Sequence, residues 1–310
     1  MSGINQTFLI YGIVILLGYL VKRFGVVKEK EGKCLINLVY YLTLPAVILT
    51  VFNGQHFTRQ MAIIFTVSII YGILMTFVSL FFYRKRAVAD QKGLFISSIL
   101  GFNIPLFSYP FVMAIWGFEG LRYLAIFDMG STPFFVFGVA YVTSAYFSPG
   151  NNEVKLKNIF KKLAVFIPLH GYLLALILMF LQIKLPAFII TVLNPLTKAN
   201  TPLVLIILGL YLNFTGIRQY AKGIGSILSL RYISGIVVGA IVFLFIPFDN
   251  LTKTMVILAL INPVGLAMIA YSVYFNYDSK FAGTLINVSN VISFIFIWGI
   301  TILSINYHIL

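Results

Sequence analysis

A chain of 310 residues that is 60% hydrophobic and 10% charged, with a mean hydropathy of +1.00, is an integral membrane protein; a soluble domain carries about a quarter charged residues. At about 20 residues per crossing, the length admits at most about a dozen helices with short loops and no soluble domain beside them. The formal charge of +14 does not point to nucleic acid, because the basic residues are confined to the gaps between apolar runs, where membrane topology places them.

Ten apolar segments follow one another. The first, about 8–21, has no basic n-region before it and no small-residue cleavage site after it, so it is expected to be a retained helix rather than a signal peptide. A loop with Lys22, Arg23, Lys28, Lys30 and Lys33 leads to the second, about 35–52, which contains Pro45. Cys34, the single cysteine, permits no internal disulfide and no cysteine metal site, and is expected to be a small apolar filler near a helix start. A short turn with His56 and Arg59 precedes the third segment, about 61–83. After Arg84, Lys85, Arg86 and Lys92 comes the fourth, about 93–116, and Glu119 with Arg122 marks a tight turn into the fifth, about 123–147. Ser148-Pro-Gly-Asn-Asn152 opens a hinge-like linker, 148–162, with Lys155, Lys157, Lys161 and Lys162. The sixth segment is about 163–181. The seventh, about 187–214, is interrupted by Pro195 and Pro202. Arg218, Lys222 and Arg231 lie in the next connection, and the eighth to tenth segments are about 232–246, 255–275 and 281–305.

The basic residues alternate. The first, third, fifth and seventh connections hold 5, 4, 4 and 3 Lys and Arg, and the second, fourth, sixth and eighth hold one each. The positive-inside rule puts the odd connections in the cytoplasm and both termini outside the cell membrane.

Two segments are badly built for continuous helices. In the fourth, Gly101-Phe-Asn-Ile-Pro105-Leu-Phe-Ser-Tyr-Pro110 combines two prolines that remove backbone donors with a buried-depth amide, Asn103. In the ninth, Asn262-Pro-Val-Gly265 does the same. The halves repeat more widely: 43–49 matches 200–206 at an offset of 157, Asn103 to Pro105 matches Asn262-Pro263 at 158 to 159, Glu119 matches Asp278 at 159, and Asp128 falls near Asn287. A five-helix repeat copied in tandem reverses its orientation, giving an inverted repeat of residues 1–147 and 163–310 about the linker. Paired broken helices in corresponding halves point to a carrier's substrate site. Half-helix N-termini favour an anion and C-terminal ends a cation. Gly101, Asn103, Pro105, Asn262, Pro263 and Gly265 are therefore the candidate substrate-binding residues.

Ionisable and polar residues at membrane depth are the candidates for ion coupling. Asp128, two turns into the fifth segment, reads either as a proton carrier or as half of a structural pair with Arg122. Lys198 reads either as a charge that attracts a carboxylate or, preferred, as a cap in an outer loop. Asn287 and Asn290 in the tenth segment, with Ser289, Ser131 and Thr132, are candidates to line the cavity or to join helices. His170 is expected to donate to a carbonyl at the interface.

Several stretches resemble the auxin efflux carrier family of membrane transport proteins: Gly18-Tyr-Leu-Val-Lys-Arg-Phe-Gly25, Asn37 to Pro45, Asn103 to Gly117, and the Asn262-Pro263 break. The resemblance covers essentially the whole chain. It implies an all-α membrane protein of ten transmembrane helices, a five-plus-five inverted repeat of the sodium/proton-antiporter and bile-acid-symporter type. Its fourth and ninth helices would cross at Pro105 and Pro263 beside the substrate site. Members carry organic anions, auxin in plants and malate, malonate and related carboxylates in bacteria, and the short linker here resembles the bacterial form. Tyr109 and Pro110 depart from the smaller residues usual after the crossover.

The expected function is secondary transport of a small organic anion across the cytoplasmic membrane, coupled to protons; sodium coupling and a substrate sensor without transport are the alternatives. No cofactor, metal or nucleic acid is expected, and a homodimer is possible. An enzyme finds no support, since HExxH, GxSxG and nucleotide-loop motifs are absent from the sequence. No rings of charge or carbonyl-filter repeat suggest a channel.

Overall fold

Proline and glycine decide where the apolar runs stay helical and where they give way. The computed structural model describes residues 2–28, 31–85, 91–149, 164–213 and 216–307, and among them every regular element is a helix. Helix α1 is Ser2–Arg23, α2 Gly32–Leu38 and α3 Leu44–Phe52, with a π-helical turn Val39–Thr43 between the last two. Helix α4 is Arg59–Tyr83 and α5 Lys92–Leu100; a second π-turn, Ile104–Ser108, leads into α6, Tyr109–Ser131. A third, Thr132–Val139, joins α6 to α7, Ala140–Tyr146. The rest of the chain forms α8 Ile167–Phe180, α9 Ala187–Leu210, α10 Ile217–Phe245, α11 Asn250–Leu260, α12 Ala267–Tyr274 and α13 Ser279–Tyr307.

Each π-turn abuts a proline (Pro45, Pro105 with Pro110, and Pro133). A proline lacks a donor and crowds the carbonyl one turn earlier, so the helix widens locally to accommodate it. Thr58 caps α4 by accepting from the Met61 N–H at 3.3 Å, and Asp249 caps α11 by accepting from the Thr252 N–H at 2.9 Å.

Among the described residues, seven helical stretches are long and apolar enough to cross a membrane, including Ile104–Tyr146, Ile217–Phe245 and Ser279–Ile305. Ile104–Tyr146 is not straight. Gly117 has φ +61° and ψ −151°, and Pro105 and Asp128 line one cavity although a straight helix would hold them about 35 Å apart. The chain doubles back at Gly117, slightly before the turn expected at Glu119 and Arg122.

Helix α1 lies along α9, so closely that a Cβ on Gly18 would sit 2.5 Å from the Ile206 carbonyl oxygen. Helix α8 lies along α3, and α3 touches α9 through Asn200 Nδ2, which donates to Thr43 Oγ1 at 2.9 Å, and through the Thr50 and Thr197 hydroxyls at 3.2 Å. The core is built around two interrupted stretches. Every residue from Ile96 to Val112 and from Leu258 to Gly265 is buried, while Leu9, Phe77, Phe81 and Phe245 project from the outer faces, as lipid-facing side chains do.

Three expectations are corrected and one is untested. The eighth segment begins at Ile217, not near 232, so Arg231 lies fourteen residues inside a helix rather than in a loop. The seventh segment is not interrupted: α9 runs through Pro195 and Pro202, and Lys198 is a helical residue on its exposed side instead of a loop cap. Cys34 is near a helix start but exposed, so it fills no core. Most of the linker expected at 148–162 lies outside the described residues.

Candidate functional site

The two breaks meet. Helix α5 ends at Leu100, the chain runs extended through Phe102, and helical geometry resumes at Ile104; in the second half α11 ends at Leu260 and α12 starts at Ala267. Phe102 and Val264 form an antiparallel bridge, in which the Asn103 N–H donates to the Pro263 carbonyl and the Gly265 N–H to the Gly101 carbonyl, both at 3.1 Å. Unwound backbone at membrane depth has no water to bond, and each break supplies part of the other's need. Gly265 permits the approach, because a Cβ there would stand 2.8 Å from the Phe102 carbonyl oxygen.

Side chains satisfy other groups of the second break. Ser289 Oγ accepts from the Val264 N–H at 3.0 Å, and Ser293 Oγ donates to the Ile261 carbonyl at 2.7 Å. Asn262 turns its amide nitrogen back to the Leu258 carbonyl at 2.8 Å and accepts from Ser108 Oγ at 2.9 Å. Its side chain thus holds the helix end together and does not line the cavity below.

On one side of the crossing stands Arg231, fully buried. Its Nε and Nη2 donate to the Asn262 carbonyl, both at 3.0 Å, and Nη2 also reaches the Pro263 carbonyl at 3.1 Å. Its Nη1 donates to the carbonyls of Ile99 at 2.6 Å and Ser98 at 3.2 Å. One guanidinium therefore gathers the carbonyl ends of α5 and α11, where the helix dipoles are negative. The guanidinium carbon lies 4.1 Å from the centre of the Phe102 ring.

On the other side is a cavity of about 30 Å³, room for about two waters. The starts of both resumed helices reach it, through Asn103 and Pro105 on one and Gly265 to Ala267 on the other. Asp128, Thr132 and Tyr172 form its polar wall, and Tyr40 and Leu44 of the second segment lie on it too. Asp128 is fully buried and accepts from Thr132 Oγ1 at 2.5 Å and from the Tyr172 hydroxyl. The Tyr172 oxygen in turn stands 2.6 Å from the Tyr109 hydroxyl. Neither bonded partner of Asp128 is basic. Arg122, the sequence candidate for its ion pair, directs Nε at 3.5 Å to the Val51 carbonyl instead. The Asn103 amide nitrogen is buried with no hydrogen-bond partner among the described residues, which marks it as the group on this wall that lacks what it needs.

Of the residues singled out from sequence, Asn103, Pro105, Gly265 and Asp128 come together on the cavity, and Thr132 joins them. Gly101, Asn262 and Pro263 build the crossing behind it. Asn287 lies elsewhere, donating to the Asn213 and Gly283 carbonyls, and neither Asn290 nor Lys198 is on the cavity. His170 sits 3.1 Å from the Phe166 carbonyl through Nδ1, as expected of an interfacial histidine. Sequence reasoning missed Arg231, Tyr109 and Tyr172 as members of this constellation. The signal for Arg231 was present: it is the one charged residue in an otherwise uncharged, mostly apolar run from Ile224 to Val242. The tyrosines offered none, being two of 18.

The model of the membrane transport protein family matches residues 4–141 and 151–301. An uncharacterized transporter of Methanocaldococcus jannaschii is 28% identical over 306 residues, covering 94% of this chain and 96% of the relative. An uncharacterized transporter of Methanothermobacter thermautotrophicus is 26% identical over 298 residues, with the same two shares. A chain of long apolar helices, with two broken stretches joined at its core, belongs to the membrane transport protein family, that of the auxin efflux carriers.

Proposed function

We propose that this transporter is a secondary carrier of small organic anions, coupled to protons and working by alternating access. One observation carries the reading: the cavity lies at the N-terminal starts of both resumed helices, and its lining includes Asn103, whose buried amide nitrogen has no hydrogen-bond partner among the described residues. Helix starts and free N–H groups suit a carboxylate. The same cavity contains Asp128, bonded only through hydroxyls. Two negative charges in one closed, poorly solvated space repel strongly, so an anion enters when Asp128 carries a proton. Anion and proton then move together.

The present cavity is too small for an organic acid, and it lies between two groups of helices. Tyr40, Leu44 and Tyr172 come from the second and sixth segments, whereas Asn103, Asp128 and Gly265 come from the fourth, fifth and ninth. Sliding of the broken bundle against the scaffold of α1, α3, α8 and α9 would widen it on one side of the membrane and then the other.

Ten crossings in a five-plus-five inverted repeat suit this cycle, and three observations support them. Thr43 and Asn200, related by the offset of 157, are hydrogen bonded to each other. The first segment packs on the seventh as the sixth packs on the second. The two breaks pair with one another. Contacts between equivalent residues belong beside a two-fold axis. Arg218 and Lys222, in the first two turns of α10, are the basic residues beside the seventh connection once Arg231 is placed deep in the helix, and charges that close to a helix end still favour an orientation with both termini outside the cytoplasmic membrane.

The test is uptake of labelled malate into proteoliposomes, competed by a panel of mono- and dicarboxylic acids, with and without an imposed proton gradient. Saturable uptake that the gradient accelerates and that unlabelled acid competes is the expected result. Failure of every acid to enter or compete removes the organic-anion assignment.

A further inference from the structure

We infer that Arg231 is a resident cation, standing where a broken-helix carrier would otherwise hold a coupling sodium ion, so that the crossing works without sodium. The inference rests on the carrier reading for its consequence but on geometry for its substance. Unwound carbonyls and half-helix C-terminal ends are what carriers use to coordinate sodium. Here the carbonyls of Ser98, Ile99, Asn262 and Pro263, drawn from both halves of the chain, converge on a single group, and that group is the guanidinium of Arg231. Its planar fork of donors serves all four oxygens at once. The side chain is fully buried, and none of its five bonds is to a carboxylate. Its charge is balanced by the dipoles of two helix ends rather than by an acid.

Phe102 gives this arrangement a second consequence. Its ring stacks on the guanidinium and also lines the cavity. The ring therefore separates Arg231 from whatever enters, while the field of a positive charge that no carboxylate neutralises, weakly screened in the buried core, extends through it. Arg231 is a positioning residue: it fixes both carbonyl ends and biases the opposite face of the crossing towards an anion without touching it.

The experiment compares purified wild-type protein with Arg231→Ala and Arg231→Lys, in buffers whose sodium is replaced by N-methyl-D-glucamine. Wild-type Tm and malate uptake should not change when sodium is removed. Arg231→Ala should lose uptake at least tenfold, and millimolar guanidinium or added sodium should raise its Tm by about 2–4 °C and restore part of the uptake. A wild-type Tm or uptake that depends on sodium overturns the inference, as does a folded Arg231→Ala protein that neither cation stabilises. Arg231→Lys keeps the charge but loses the fork, and should retain intermediate uptake that guanidinium does not improve; uptake equal to that of Arg231→Ala would deny the charge a role. Should Arg231→Ala not fold, the sodium response of the wild type decides alone. Absence of uptake for every acid, with Tm insensitive to sodium in the wild type and sensitive in the variant, would remove the carrier reading and keep the cation assignment.

Discussion

The two faces of the crossing receive opposite treatment. On the carbonyl face the protein supplies its own partner: Arg231 binds four oxygens, and Ser293 takes the Ile261 carbonyl. On the face formed by the helix starts, the Asn103 amide nitrogen has no partner among the described residues, and the protein leaves a cavity that Asp128 also lines. Both faces consist of unwound backbone at membrane depth, which is costly to leave unsatisfied. A permanent side chain on one face and an open place on the other is the asymmetry expected when only one face exchanges its partner. Structural cost and functional opportunity have been separated onto opposite sides of one short antiparallel bridge.

The strongest way to break this comparison is to remove the acid from the open face. Asp128→Asn keeps the shape and still accepts from Thr132 or Tyr172 through its carbonyl oxygen, but can no longer exchange a proton. We expect proton-driven malate accumulation to be abolished, with counterflow of malate retained. Accumulation that responds to the gradient as in the wild type would exclude Asp128 as the coupling group. Next comes Asn103→Ala, which removes the free donor. A hydrogen bond to a charged group contributes about 1.5–3 kcal/mol, so apparent affinity for malate should fall roughly 10- to 150-fold, with little change in Tm because no protein bond to the amide nitrogen is lost. A large drop in Tm with unchanged affinity would instead make Asn103 a structural residue.

Much of this region was legible because its signals are local. Two prolines beside Asn103 and one beside Asn262 announce broken helices at a depth where breaks are expensive, and Asp128 is conspicuous inside an apolar run. What was not legible depends on direction and distance. Both Asn103 and Asn262 could be placed at the breaks, but only the fold shows that one residue is part of the cavity lining while the other turns its amide back to Leu258. Arg231 was misplaced because a basic residue near the edge of an apolar run reads as a loop charge; its carbonyl partners lie more than 30 residues away in sequence on one side and more than 130 on the other. Pro195 and Pro202 were over-read for the opposite reason, since a membrane helix tolerates proline where neighbouring groups serve the freed carbonyls. Asn287, Asn290 and Lys198 were chosen by residue type and by position along an apolar run or the repeat, and neither says which face of a helix a residue occupies.

The bridge itself offers a sharper, smaller test, because its two glycines are bonded to each other yet meet different surroundings. A Cβ on Gly265 would press against the Phe102 carbonyl oxygen at 2.8 Å, a backbone atom already fixed by the bridge. Gly265→Ala should therefore cost about 1–3 kcal/mol of overpacking, a Tm drop of roughly 1.5–5 °C, and should reduce uptake by prying the two breaks apart.

A Cβ on Gly101 would meet the flexible side chain of Met268, with Cε at 3.0 Å and Cγ and Sδ at 3.3 Å, which can shift by a few tenths of an ångström where a backbone atom cannot. Gly101 also has φ −80° and ψ 108°, a conformation open to any residue. Replacing glycine by alanine at such a site restricts the unfolded chain and favours the folded state by about 0.4–1 kcal/mol, which offsets the small cost of moving Met268. Gly101→Ala should leave Tm within about 2 °C of the wild type and leave uptake intact. If uptake nevertheless collapses while Tm holds, the extended stretch between α5 and the resumed helix must change conformation during transport. The crossing would then be a hinge rather than the fixed support that its bonds to Arg231 describe.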